Sequence, residues 1–126
     1  MSNTPENLKY AKTHEWADLG QDGRVRVGIT DFAQAQLGDV VFIELPKVGQ
    51  PVTADKACAT IESVKAASDI NSPVSGVIAE VNSAVADAPE LVNADSYAHW
   101  LFTVTPSNPD EIADLLDAAA YLDSTV

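Results

Sequence analysis

The run Arg24-Val25-Arg26-Val27-Gly28-Ile29-Thr30 alternates polar and apolar side chains behind the turn formers Gly20-Gln21-Asp22-Gly23. A period of two places alternate side chains on opposite faces of a pleated strand, so Val25, Val27 and Ile29 are expected to face a core. Similar short runs recur along the chain, each cut off by turn formers. Asp39-Val40-Val41-Phe42-Ile43-Glu44-Leu45 ends at Pro46, and Pro46 to Pro51 is a Pro/Gly-rich turn. Residues 56–62, 74–82 and 99–104 read as further strands, and Tyr10 to Trp16 as an extended opening strand. Gly76, inside one of these runs, marks a bulge or a close backbone approach. The segment 83–98 is Ala-rich with no period and is expected to be irregular.

Two helical segments punctuate this pattern. Thr30 can cap a short helix carrying Asp31 in its first turn and Phe32, Ala33 and Leu37 inward, stopped by Gly38. Near the end, Asn108 as cap, Pro109 at the first helical position and Glu111 three after the cap start a helix. Ile112, Leu115, Leu116, Ala119 and Leu122 then follow at helical spacing, which predicts one C-terminal helix over 108–122. Many short strands with few helices make the chain mainly β. Its 126 residues suit a single domain over 1–126 with a loosely ordered N-terminus at 1–9.

Charge narrows the function. All seven Lys and Arg lie within positions 1–65, while positions 66–126 hold ten carboxylates and no Lys or Arg, within a formal net charge of −12. Nucleic-acid binding needs a clustered basic surface, which this distribution does not supply; proteins with basic faces are the better partners. The absence of any apolar run long enough to span a bilayer argues against a membrane helix. The segment MSNTPENLKY resembles neither a signal nor a transit peptide, so cytoplasm is the expected compartment.

The inventory for catalysis is thin. Cys58 is the only cysteine, and His14 and His99 are the only histidines. That excludes an internal disulfide, and no metal site is expected. Cys58, in a strand without a neighbouring cation, reads as a small core filler, and the histidines as packed structural groups. There is no phosphate-cradling glycine loop and no nucleophile elbow, so the chain is not expected to be an enzyme.

What remains is Lys65, the last basic residue, in Glu62-Ser63-Val64-Lys65-Ala66-Ala67-Ser68-Asp69. This stretch lies between a strand and the turn formers Asp69, Asn71, Ser72 and Pro73, and reads as a hairpin tip. An exposed lysine at a turn is ordinarily only a solubilising charge. Here the small residues after it leave its amine open, as an acylating enzyme requires, and an amide would turn the cationic stem into a longer neutral arm.

The chain resembles the H proteins of the glycine cleavage system. The resemblance begins with Lys9-Tyr10, Thr13-His14-Glu15-Trp16, Val27 to Asp31 and Gln36 to Asp39. It continues through Val40 to Pro46, Glu62 to Asp69 and Asn71 to Gly76, and returns at Pro89 to Asn93, Tyr97 and Trp100. It implies a flattened barrel or sandwich of two antiparallel sheets, the barrel-sandwich hybrid of lipoyl domains, with a short internal helix and a C-terminal helix. By resemblance, Lys65 carries covalent lipoate, and Glu62, Ser63, Val64 and Ala66 are its recognition residues. The non-Met flanks Val64 and Ala66 favour lipoate over biotin. Thr13, Glu15 and Asp69 are expected to line a cleft for the aminomethyl-loaded arm.

The implied role is a non-catalytic shuttle. It takes the aminomethyl group from glycine decarboxylase, which uses pyridoxal phosphate, to an aminomethyltransferase that uses tetrahydrofolate. It then takes the reduced dithiol to dihydrolipoamide dehydrogenase, and a lipoate-attaching enzyme loads it. Two other roles fit the same residues: a lipoate-relay or lipoyl carrier domain for 2-oxo acid dehydrogenases, and an unmodified H-like interaction module. The chain departs from the family at Ser96-Tyr97-Ala98-His99-Trp100, one residue shorter than the usual Pro-Tyr-Gly-x-Gly-Trp and without either glycine, so a differently shaped loop is expected there.

Overall fold

The computed structural model describes residue 5 and residues 7–125. Two antiparallel sheets face each other across a shared core. One has six strands, in the order β1 (Lys9–Tyr10), β2 (Glu15–Leu19), β3 (Val25–Ile29), β9 (Phe102–Pro106), β8 (Gly76–Val81) and β5 (Pro51–Val52). The other has three, β4 (Val40–Glu44), β6 (Ala57–Ser63) and β7 (Ala67–Asn71). The alternation in β3 is obeyed: Val25, Val27 and Ile29 are buried while Arg24 and Arg26 are exposed. They meet Ile43, Ile61 and Ile70 of the smaller sheet and Ile78, Phe102 and Val104 of the larger one in a single core cluster. The chain is mainly β as its strand pattern predicts, and the two-sheet sandwich is the one the resemblance implies.

The opening segment is a hairpin instead of one strand. Ala11 N–H donates to Glu15 O at 2.9 Å and His14 N–H to Ala11 O at 3.0 Å, so the chain reverses over residues 11–14. The left-handed backbone of His14, φ 76°, makes that reversal. Of the terminus expected to be loose, residues 1–4 and 6 lie outside the described residues, whereas Leu8 is 7% exposed and Lys9 opens β1.

Helix α1 (Asp31–Leu37) starts and stops where expected. Thr30 Oγ1 accepts from Ala33 N–H at 3.2 Å, and Gly38, at φ 77°, donates its N–H to Gln34 O at 3.0 Å. The segment 83–98 differs from expectation, since α2 (Ser83–Asp87) and α3 (Glu90–Ala94) form within it. Five residues make little more than one turn, too short to print a helical period in the sequence. The last strand begins at Phe102, three residues later than expected. The Trp100 carbonyl is taken by Asn82 Nδ2 at 2.8 Å and Leu101 N–H by Val27 O at 2.7 Å, which hold the chain just outside the ladder.

The C-terminal helix over 108–122 is not continuous. A 3₁₀ helix (Pro109–Asp114) follows the Asn108 cap, the chain extends through Leu115 and Leu116, and α4 (Ala118–Thr125) follows. The break has a cause. Leu116 exchanges two backbone hydrogen bonds with Tyr10, each 2.8 Å, which removes it from any helical ladder, and Asp117 Oδ1 then accepts from Ala120 N–H at 2.8 Å. The spacing of Leu115 and Leu116 reflects two separate docking contacts, one on the main core and one on the Tyr10–Trp16–Tyr121 cluster.

Gly76 is a close approach and the bulge lies elsewhere: the register of β8 against β9 shifts between Ile78 and Glu80. A Cβ on Gly76 would stand 2.1 Å from Thr105 O. That atom is backbone and cannot swing away, so Gly76→Ala is expected to lose about 3 kcal/mol of stability in denaturant unfolding.

Candidate functional site

Lys65 stands at the tip of the β6–β7 hairpin, and one side chain builds that tip. Ser63 Oγ accepts from Lys65 N–H at 3.2 Å and from Ala66 N–H at 3.1 Å, while Ser63 N–H donates to Ala66 O at 2.8 Å. Val64 N–H donates to Asp39 O at 3.1 Å, pinning the tip to the segment after α1. Lys65, Val64 (68% exposed), Ala66 and Glu62 all face solvent. The lysine stem crosses Gly38: a Cβ there would lie 3.1 Å from Lys65 Cε and 3.7 Å from Nζ. Thus Gly38 both ends α1 and leaves a path for the stem. Glu62, Ser63, Val64, Lys65 and Ala66, singled out from the sequence, form one continuous protrusion.

A groove of about 280 Å³ lies beside the root of that hairpin. Thr13, Ser68 and Asp69 line its polar part, and Ile29, Ala33, Leu37, Ala66 and Ile70 its apolar part, with His14 and Gln36. Two of the three expected cleft residues are therefore brought together, Thr13 from the turn between β1 and β2 of the larger sheet and Asp69 from β7 of the smaller one. Glu15 is not presented to the groove. It is 1% exposed, its carboxylate accepting a hydrogen bond from Thr13 Oγ1 and another from Asn71 N–H at 3.1 Å. Burial without a cation raises its carboxyl from the ordinary value to about 7, against the opposing pull of those hydrogen bonds.

Ile29, Ala33 and Leu37 are not among the site residues expected from the sequence. Their signal was present as an apolar spacing of four, but it reads equally well as core packing, and these residues do touch the core. His14 was read as structural; its Nδ1 lies 2.7 Å from Tyr121 Oη and its ring packs on Phe32. Cys58 fits its expected role: it is half-buried, and burial together with the charge of Glu15 pushes its thiol up to about 12.

The Ser96–Trp100 loop is docked onto the domain. Ser96 is buried, its carbonyl accepting from Trp16 Nε1 at 3.1 Å, and Tyr97 Oη accepts from Asp31 N–H at 3.1 Å.

Comparison with known proteins spans nearly the whole chain. The glycine cleavage H-protein family profile matches residues 8–126. The chain belongs to that family. Its relatives include the glycine cleavage system H proteins of Azoarcus sp., 59% identical over 96% of this chain and 95% of the relative, and of Methylococcus capsulatus, 60% identical with the same coverages. The crystal structure of the H protein from Mycobacterium marinum superimposes with a TM-score of 0.89 at 42% identity, covering 96% of this chain and 98% of that one. As an H-protein family member the chain is a carrier component of the glycine cleavage system, and its partners belong to that system.

The residues present fit the lipoyl group that the family implies. The amine of Lys65 is open to acylation between the exposed Val64 and Ala66, and the neighbouring groove offers an apolar lining beside a polar one. No helix among the described residues is long and apolar enough to cross a membrane.

Proposed function

We propose that Lys65 carries lipoate in amide linkage, and that the chain takes the aminomethyl group from a pyridoxal-phosphate glycine decarboxylase to a tetrahydrofolate-dependent aminomethyltransferase. The dithiol is then delivered to dihydrolipoamide dehydrogenase, all in the cytoplasm and after loading by a lipoate-attaching enzyme. The observation that supports this reading most directly is the solvent-facing Lys65 on a tip held by Ser63 in a chain of the H-protein family. A dithiolane supplies, when bound, a two-electron redox couple and a sulfur that bears an organic fragment. The protein supplies placement and no bond-making group of its own.

Each placement has a residue behind it. Ser63 fixes the tip through backbone contacts, so acylating the Lys65 side chain leaves the hairpin undisturbed. Gly38 leaves room for the stem. Tethering keeps the effective concentration of the arm high at each docked enzyme without any new contact. In the groove, Ile29, Ala33 and Leu37 suit the methylene part of an arm, and Asp69 with Thr13 suits a cationic end through charge-assisted hydrogen bonds. Acylation also removes the one cation at the tip, adding to the acidic field that would attract basic partner faces.

Intact-mass measurement of the chain isolated from cells tests the attachment: a lipoyl increment mapping to Lys65 is the expected result. An unmodified chain would instead favour the interaction-module reading, and a lipoylated chain that supports 2-oxo acid oxidation but not glycine decarboxylation would favour the relay reading. The groove is tested separately. Asp69→Asn in the aminomethyl-loaded chain should release ammonia about threefold faster in the absence of the transferase, consistent with one solvent-screened ionic hydrogen bond; an unchanged rate removes Asp69 from the cleft.

A further inference from the structure

His14 lies in the groove lining, and the carrier role as described gives it nothing to do. It holds a left-handed backbone, φ 76°, at a position where glycine would be unstrained. An outlier of that kind beside a site points to a use for the side chain. The imidazole is fixed on two sides, 4.7 Å from the Phe32 ring and edge-on to Tyr121 at 5.6 Å. Its Nδ1 lies 2.7 Å from Tyr121 Oη, which lies 2.7 Å from Thr30 Oγ1. Nε2 makes no hydrogen bond among the described residues, and it is the nitrogen left for the groove.

The direction of this relay follows from its buried end. Thr30 is fully buried, its Oγ1 already accepts from Ala33 N–H, and Tyr121 Oη is the acceptor within reach of its hydroxyl hydrogen. A buried hydroxyl normally finds an acceptor. An arrangement in which Thr30 donates to Tyr121 and Tyr121 to His14 Nδ1 gives both hydroxyl hydrogens an acceptor, and in it the imidazole hydrogen sits on Nε2. Burial lowers the basicity of the ring, so it stays neutral near pH 7.

We propose that His14 positions the sulfur end of the arm: its neutral imidazole, anchored through Tyr121 and Thr30, donates a hydrogen bond from Nε2 to a lipoyl sulfur in the groove. This rests on the lipoyl-carrier reading. In the reduced arm the same donor favours the thiolate. The thiol proton goes to solvent, His14 keeps its own proton, and no electrons move. A neutral donor suits this place. Asp69 on β7 supplies the groove with a carboxylate suited to a cation, whereas an Nε2–H selects the sulfur without competing for the cation.

The test begins on the unmodified chain. Imidazole ¹⁵N–¹H correlation spectra should show His14 protonated on Nε2 alone, and Tyr121→Phe should turn this into a mixture of tautomers. On the lipoylated, reduced chain the His14 Nε2 resonance should shift. The lower thiol pKa, read from thiolate absorbance, should rise by about 1 in His14→Asn. Asn accepts a left-handed backbone and is too short to span the imidazole's reach; Tyr121→Phe, which keeps the ring, gives the same comparison if that variant does not fold. An Nδ1-protonated His14 in the unmodified chain, or a thiol pKa equal in wild type and both variants, overturns the proposal alone. Absence of lipoate on Lys65 overturns the carrier reading and this proposal with it, and is seen independently by mass.

Discussion

Lys65→Arg is expected to fold like the wild type, take up no lipoyl group and support no glycine decarboxylation. The chemistry of the two side chains decides this. A lysine amine can shed its proton and attack an activated acyl carbonyl, whereas the delocalised guanidinium stays protonated and does not acylate under the same conditions. Folding should be indifferent, because the tip is held by Ser63 and by the Val64 N–H bond to Asp39 O, none of which involves the Lys65 side chain beyond its Cα. The one packing contact at risk is the stem over Gly38, and its far end is flexible. Stability should therefore stay within about 0.5 kcal/mol, the usual range for a surface change. Three measurements on one sample check it: intact mass, a denaturant melt, and reconstituted glycine decarboxylation. Wild-type decarboxylation by the arginine variant would remove the carrier function from Lys65.

What the sequence made legible followed the physical range of each signal. The alternation in β3, the Thr30 and Gly38 caps of α1 and the turn residues around Lys65 act over three to seven residues, and these elements stand where they were expected. The C-terminal helix failed for the complementary reason. Leu116 is pulled into a bridge with Tyr10, more than a hundred residues earlier, and no local pattern of leucines records that partner. The hairpin at 11–14 turned on a single residue, His14, whose side chain gives no strong hint of a left-handed backbone. The site divides in the same way. The protrusion is contiguous in the sequence, while the groove is assembled from the β1–β2 turn, β3, α1, the hairpin tip and β7. There Thr13 and Asp69 are expected only through the resemblance, and Ile29, Ala33 and Leu37 are hidden among core residues of the same chemistry. Glu15, expected in the cleft with Thr13 and Asp69, is buried behind Thr13. Sequence distinguishes a carboxylate at a strand start from its neighbours, and only the packing of Asn71 against it decides which way it points.

That inward orientation carries the second large effect. A carboxyl raised by burial from 4.5 to about 7 binds protons more tightly folded than unfolded, so the folded state holds the extra proton between those two values. Its contribution to stability is complete below about pH 4.5 and is lost as pH rises through about 7. At pH 8 the ionised Glu15, only partly compensated by its hydrogen bonds from Thr13 and Asn71, thus costs on the order of 3 kcal/mol. Glu15→Gln keeps the shape: its carbonyl can accept from Asn71 N–H, and its amide can donate to Thr13 Oγ1. The variant should match the wild type near pH 4 and exceed it in denaturant melts at pH 8 by up to about 3 kcal/mol, with the difference growing between the two. Equal stability at both pH values would mean that the carboxylate is solvated or paired and that the burial argument is wrong. A carboxylate maintained at such a cost beside a groove for a cationic cargo is expected to act on that cargo through Thr13. The loaded Glu15→Gln chain should accordingly release ammonia faster without the transferase. A variant that is more stable at pH 8 yet releases ammonia at the wild-type rate would confine Glu15 to tying β2 to the end of β7, and would leave Asp69 as the groove's acting charge.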